Sequence, residues 1–138
     1  MAVAYGTIVF MTNEEAIHRW KESATRDMVI AEDMLKLKHY DWTLFMGQLS
    51  LEKFLKGLYE KRKNDTPPFI HDLAKLASLA DLTLSKQQLD DFQEITTFHI
   101  AARYENIKYQ LYKKATKDYT EAIFTKIKEY ALWLQSLY

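Results

Sequence analysis

A short segment of the chain combines cations with aromatic rings. Arginine and lysine side chains bind phosphate groups, and tyrosine rings stack on nucleobases. Tyrosines are also common where two helical subunits meet, so a dimer seam is the alternative interpretation, and the two roles are compatible. The candidate nucleotide- or RNA-binding residues here are Arg103, Tyr104, Lys108 and Tyr109, with Tyr112 close behind.

Two runs of basic residues add to this segment. One includes Lys53 and Lys56 and continues to Lys63, and the other extends from Lys108 to Lys117. The chain has 19 basic and 19 acidic residues, so its net charge is zero and a polyanion would need a local patch. For any single lysine the favoured alternative is a solvated surface moderated by neighbouring carboxylates.

Composition restricts the classes of fold and chemistry. A chain of 138 residues that is 48% hydrophobic predicts one globular domain. The absence of cysteine excludes disulfides, thiolate zinc sites and cysteine nucleophiles, and fits the reducing cytoplasm, where we expect the protein. The four histidines lack zinc-type pairing, so neither a metal nor another cofactor is indicated.

Apolar residues repeat at steps of three or four through most of the sequence, which predicts amphipathic helices. Thr12, Asp41 and Ser85 are suited to begin three of them as N-caps. Two prolines, Pro67 and Pro68, mark the clearest loop. The predicted helices extend over residues 12–39, 42–63, 71–80, 85–103 and from 117 onward, which gives an all-α, up-and-down bundle of four to five helices.

The first eleven residues differ from the rest. Ala2 to Phe10 is rich in β-forming residues and predicts an isolated strand, which would be marginal unless it pairs with a second subunit. The sequence from Met11 onward also resembles the natural start of a protein. Residues 1–11 are therefore interpreted as an N-terminal arm, native or added. Residues 12–138 form the helical domain.

Asp27 lies beside the apolar stripe of the first helix, where a lone carboxylate is costly to desolvate. We therefore expect it to pair with Lys53 or Arg103. Glu52 and Lys56 are four residues apart, a favourable spacing for an ion pair on an exposed helix face.

Three groups of residues carry a family resemblance: the helix from Gly47 to Leu58 with its Glu52-Lys53 pair, His71-Asp72-Leu73, and Ala102-Arg103-Tyr104. In this order they resemble the HEPN family of small helical nucleotide- and RNA-associated domains. The resemblance implies a helical bundle. It also places Glu52, Asp27 and His71 in a structural network, with His71 opening or capping the third helix.

Many proteins of this family are metal-independent ribonucleases with an arginine followed, four to six residues later, by a histidine. Here Arg103 is followed by Lys108, Tyr109 and Gln110, and the histidine is absent. Cleavage by a 2′-hydroxyl needs a proton acceptor near neutral pH. His99, one helical turn before Arg103, is the candidate substitute, although a packed histidine with one hydrogen-bonded ring nitrogen is favoured.

The resemblance further implies a homodimer and a partnership with a minimal nucleotidyltransferase. Some members are modified on a tyrosine just past the signature histidine, where this chain has Gln110 between Tyr109 and Tyr112. We therefore expect a non-catalytic nucleotide- or RNA-binding partner subunit in a toxin-antitoxin-like system, with no membrane association. The alternatives are a ribonuclease that uses Arg103 with His99 or Lys108, and a purely structural dimerisation module.

Overall fold

A computed structural model describes residues 2–4, 7–9 and 11–138. The helices are α1 (Asn13–Lys36), α2 (Tyr40–Lys63), α3 (Leu73–Leu79), α4 (Lys86–Ala101), α5 (Glu105–Lys114) and α6 (Lys117–Ser136). The predicted all-helical bundle is confirmed. The predicted number of helices is too low, since the described residues form six.

Two short strands precede the bundle. β1 (Ala2–Ala4) and β2 (Thr7–Val9) pair antiparallel, with Val3 opposite Ile8. The expectation of one isolated strand over Ala2 to Phe10 is therefore wrong for these residues, and the rest of that stretch lies outside the described part. Among the described residues, no helix has the length and apolar character needed to cross a bilayer.

Hydrogen bonds from capping side chains determine where several of the helices begin. The hydroxyl of Thr12 accepts a hydrogen bond from the Glu15 amide, and Ser85 forms a capping box with Gln88, as the sequence predicts. The predicted Asp41 cap is wrong: α2 starts earlier, with His39 at the N-cap position. Lys38 adopts a positive φ of 63°, which turns the chain sharply and ends α1 before His39.

Helix α2 lies at the centre and contacts α1, α3, α4, α5 and α6. Several of its apolar side chains are completely buried, among them Leu51, Phe54 and Leu55. Helix α1 approaches it closely because Ala24 and Ala31 face it with small side chains, and Ser50 on α2 donates a hydrogen bond of 2.7 Å to the Ala24 carbonyl. Polar residues of α2 near this core are therefore held in a low-dielectric setting.

The predicted fourth helix does not continue to Arg103. It ends at Ala101, and the extended Tyr104 is the N-cap of the separate helix α5. Arg103 consequently lies in the short link between α4 and α5, where its side chain is exposed. This link, the loop before α3 and the middle of α2 meet at one place in the bundle.

Candidate functional site

Glu52 is the buried anchor of a polar cluster. Only 4% of its side chain is exposed, and it lies 3.0 Å from the Lys56 ammonium, whose side chain is 7% exposed. Gln48 donates a hydrogen bond of 3.1 Å to the other carboxylate oxygen. Burial by itself would raise the pKa of Glu52, but hydrogen bonds from Lys56 and Gln48 and the charge of Lys56 outweigh it and lower the pKa.

His71 connects this anchor to the surface. Its Nδ1 lies 3.0 Å from Glu52 Oε1, and its Nε2 lies 3.2 Å from an Arg103 guanidinium nitrogen. A neutral imidazole with its proton on Nδ1 satisfies both contacts, because it donates to the carboxylate and accepts from the guanidinium. The chain Glu52–His71–Arg103 thus holds an exposed cation in a fixed orientation.

The chain just after His71 is attached to α4. The Leu73 amide donates a hydrogen bond of 3.1 Å to Thr96 Oγ1, which attaches the start of α3 to α4. The expectation that His71 caps α3 is wrong, since Asp72 is the cap and its side chain accepts from the Lys75 amide. His71 is therefore available for contacts with Glu52 and Arg103.

His99 on α4 stacks on His71, with ring centroids 3.8 Å apart and planes inclined by 25°. Its other side faces Phe45, at 6.3 Å between centroids. Within the described residues, both ring nitrogens are buried and neither has a hydrogen-bond partner, so the expectation of one hydrogen-bonded nitrogen is wrong. Burial lowers the pKa of His99, helped by the nearby His71, Arg103 and Lys56, while Glu52 opposes the shift.

Glu52, His71 and His99 place potential ligand atoms within 4.8 Å of one another, which invites the question of a metal ion. The two rings are stacked nearly face to face, however, and their in-plane lone pairs cannot converge on one ion without rearrangement. Lys56 and Arg103 add two positive charges beside the same group. The chemistry of the cluster suits an anion better than a divalent cation.

The basic run on α2 is not a continuous phosphate-binding surface. Lys53 pairs with Asp27 at 2.6 Å, one of the two pairings considered from the sequence, and also contacts Ser23. Lys56 is buried against Glu52, and Lys63 pairs with Asp81 at 2.6 Å. Lys53 and Lys56, two of the candidate nucleotide-binding residues, thus form ion pairs within the fold with their ammonium groups.

Helix α5 carries the remaining candidates. None of its residues is buried, and Tyr104, Tyr109 and Tyr112 are each more than half exposed. The Lys108 ammonium lies 5.4 Å from the centre of the Trp42 ring on α2. The structure therefore leaves these tyrosines exposed on the helix that follows Arg103, and places Lys108 over an aromatic ring.

Three residues that contact the cluster were not singled out from the sequence: Gln48 and Phe45, and also Phe69, whose ring meets the His71 ring edge to face. Gln48 and Phe45 carry no local signal, because their role depends on which turn of α2 faces the loop before α3. Phe69 could have been identified from its position in the sequence, because it follows Pro67-Pro68 and comes two residues before His71.

Comparison with known proteins identifies a similar structure and the protein family. The crystal structure of TT1696 from Thermus thermophilus superposes with a TM-score of 0.73 at 20% sequence identity, covering 88% of this chain and 98% of that one, which shows a shared fold. No curated protein matched the chain. Residues 17–137 match the family model for the HEPN domain, and the chain therefore belongs to the HEPN domain family.

Proposed function

We propose that the protein binds a phosphate group of RNA or of a nucleotide at Arg103, as a non-catalytic subunit. The observation that carries this proposal is the chain Glu52–His71–Arg103, which runs from a buried carboxylate to an exposed guanidinium. A guanidinium presents several N–H donors in a planar fork, and one contact with His71 leaves others to face a phosphate. Because His71 orients it beforehand, less side-chain entropy is lost on binding.

The neutral net charge of the chain fits this kind of site. Binding would depend on one oriented cation and its neighbours, so the affinity should fall only modestly with salt, unlike that of a strongly basic protein. His99, whose lowered pKa favours the neutral form, adds no further positive charge to this site. Tyr104 and Tyr109 offer exposed rings on the adjoining helix.

We further propose that the subunit is a homodimer and the partner of a nucleotidyltransferase in a toxin-antitoxin-like system in the cytoplasm. Two observations support this proposal. One is the family membership, and the other is helix α5, which has no buried residue but carries Ile107 and three exposed tyrosines, one at its N-cap and two along its length. Such an aromatic face is suited to a protein interface. Residues 1–11 would be an arm outside the helical domain of residues 12–138.

Titration of labelled ATP and a short single-stranded RNA tests phosphate binding. Arg103→Ala should weaken binding at least tenfold, the size expected for a charge-assisted contact. Arg26→Ala is the matched control, because Arg26 is an exposed arginine on α1 far along the sequence from the cluster. Equal binding by wild type and Arg103→Ala would contradict the proposal and leave a structural dimerisation module as the remaining interpretation.

A second candidate function is supported by His99. Because burial lowers the pKa of His99, its imidazole is neutral at neutral pH and carries one unprotonated ring nitrogen, as a general base requires. It would take the proton of a ribose 2′-hydroxyl, whose oxygen attacks phosphorus while the 5′-oxygen leaves with a proton from solvent. This ribonuclease function needs the His99 ring to turn a nitrogen toward the substrate; Lys108, the other candidate base, lies over Trp42.

Incubation with a mixed RNA pool across pH distinguishes the two functions. A ribonuclease would show cleavage with an acidic limb below pH ~6.5, lost in both Arg103→Ala and His99→Phe. Binding without cleavage at any pH would support the non-catalytic subunit.

A further inference from the structure

Phe69 is a large apolar side chain with 90% of its surface exposed. It lies in the loop between α2 and α3, two residues before His71. An exposed phenylalanine contributes little to the stability of the bundle, because almost no apolar area is removed from water. Its position therefore calls for an explanation outside the packing of the core.

The backbone holds Phe69 outward. Pro67 and Pro68 precede it and restrict the chain, and the Ile70 amide donates a hydrogen bond of 2.9 Å to the Pro68 carbonyl, which makes a tight turn with Phe69 at its tip. Ile70 packs against the core, and His71 is fixed by Glu52. The ring is thus presented to solvent by a short segment that two prolines restrict on one side and that Ile70 and His71 anchor on the other.

The neighbours of the ring belong to the Arg103 cluster. The Phe69 and His71 rings meet edge to face with centroids 5.7 Å apart, and the buried Lys56 ammonium lies 5.5 Å from the centre of the Phe69 ring. Arg103 contacts the same His71 through Nε2. The Phe69 ring and the exposed Arg103 guanidinium therefore both contact the same imidazole, which places an aromatic ring and a cation side by side in one cluster.

We propose that Phe69 stacks an unpaired nucleobase of the strand whose phosphate is bound by Arg103. The inference rests on the proposed function and narrows its ligand to single-stranded RNA or a free nucleotide. In a duplex the base faces are covered by neighbouring bases, whereas in a single strand they can stack on an aromatic side chain. Stacking accepts any base, so little sequence preference is expected.

Fluorescence anisotropy with three end-labelled probes tests the proposal: a short single-stranded RNA, the same strand with abasic sites, and the strand annealed to its complement. Phe69→Ala should weaken binding of the intact single strand about tenfold, and Phe69→Trp should restore it. Binding of the abasic strand should be the same for Phe69→Ala and wild type. Leu132→Ala, an exposed apolar residue on α6, is the control for loss of surface hydrophobicity.

The outcomes separate this inference from the proposed function. If Arg103→Ala weakens binding of both single-stranded probes but Phe69→Ala changes neither, stacking is refuted and phosphate binding stands. An equal loss for intact and abasic strands in Phe69→Ala also refutes stacking, because the ring would then act on the backbone. If Arg103→Ala has no effect on any probe, the phosphate site itself is refuted.

Discussion

The imidazole rings of His71 and His99 stack with their centroids 3.8 Å apart, although the residues belong to different elements. One ring is fully engaged, between Glu52 and Arg103, while the other has two buried nitrogens without a hydrogen-bond partner in the described residues. Two adjacent histidines in the same site therefore have opposite hydrogen-bonding states. Burial of the His99 ring, with no hydrogen bond to offset it among the described residues, lowers the pKa of His99.

His99 should make the protein less stable in mild acid. Its pKa in the folded state is below 6.5 because burial disfavours the imidazolium, so the unfolded chain binds the proton more readily. The free energy of unfolding should thus decrease as pH falls from about 7 through 6.5 toward the folded-state pKa, and level off below it. Denaturant titrations at several pH values measure this slope.

His99→Phe should reduce that slope, since phenylalanine keeps the ring between Phe45 and His71 but cannot titrate. His39→Gln changes an exposed histidine outside the cluster and should leave the slope of the wild type. An unchanged slope in His99→Phe would show that another group controls stability in this pH range.

The buried pair of Glu52 and Lys56 should be far more sensitive than an exposed pair of the same spacing. Glu52→Gln leaves the Lys56 ammonium buried without its counter-charge, and should lower the free energy of unfolding by about 3 kcal/mol. Asp90→Asn removes the partner of Lys86 at a largely exposed i, i+4 pair, and should cost less than about 1 kcal/mol. Similar losses in the two variants would argue against the anchoring role of Glu52.

The sequence predicted the bundle because its helices have regular apolar stripes and strong local caps. Thr12 and Ser85 satisfy backbone amides with their own side chains, so a few neighbouring residues decide where α1 and α4 begin. The break between α4 and α5 was missed because no glycine or proline marks it. Tyr104 has an extended backbone, which separates the two helices, and a tyrosine is not a residue type that predicts such a break.

The site was only partly predictable for a similar reason. Arg103, His71, His99 and Glu52 could each be identified from residue type and family resemblance. Their mutual arrangement depends on how the loop before α3 attaches to Thr96, a contact between residues far apart in sequence. Sequence periodicity shows which residues share a face of a helix, but it does not show which loop packs against that face.

Tyr130 should contribute to stability by joining α6 to α4. Its hydroxyl donates a hydrogen bond of 2.5 Å to the buried Asp91, which also accepts from Lys126 and Gln87. Tyr130→Phe removes a hydrogen bond to a charged acceptor and should lower the free energy of unfolding by about 2 kcal/mol. Tyr112→Phe, at an exposed tyrosine on α5, should change it by less than about 0.5 kcal/mol.

Gly57 and Gly47 should respond differently to alanine, although both lie inside α2. A Cβ on Gly57 would overlap the Tyr138 hydroxyl and lie 2.9 Å from the Trp20 Cβ, which is fixed next to the backbone of α1. A Cβ on Gly47 would meet only side-chain atoms, the nearest being those of Ile127 at 2.9 and 3.2 Å, which can move by rotation.

Alanine is a better helix former than glycine by about 1 kcal/mol, and this gain opposes the steric cost at both sites. Gly57→Ala should therefore lower the free energy of unfolding by about 1–3 kcal/mol. The steric cost of the contacts with Trp20 and Tyr138 exceeds the gain in helix propensity. Gly47→Ala should lie within about 1 kcal/mol of wild type. Chemical denaturation of both variants checks the order, and a Gly57→Ala protein as stable as wild type would show that the C-terminal tyrosine and α1 move apart at little cost.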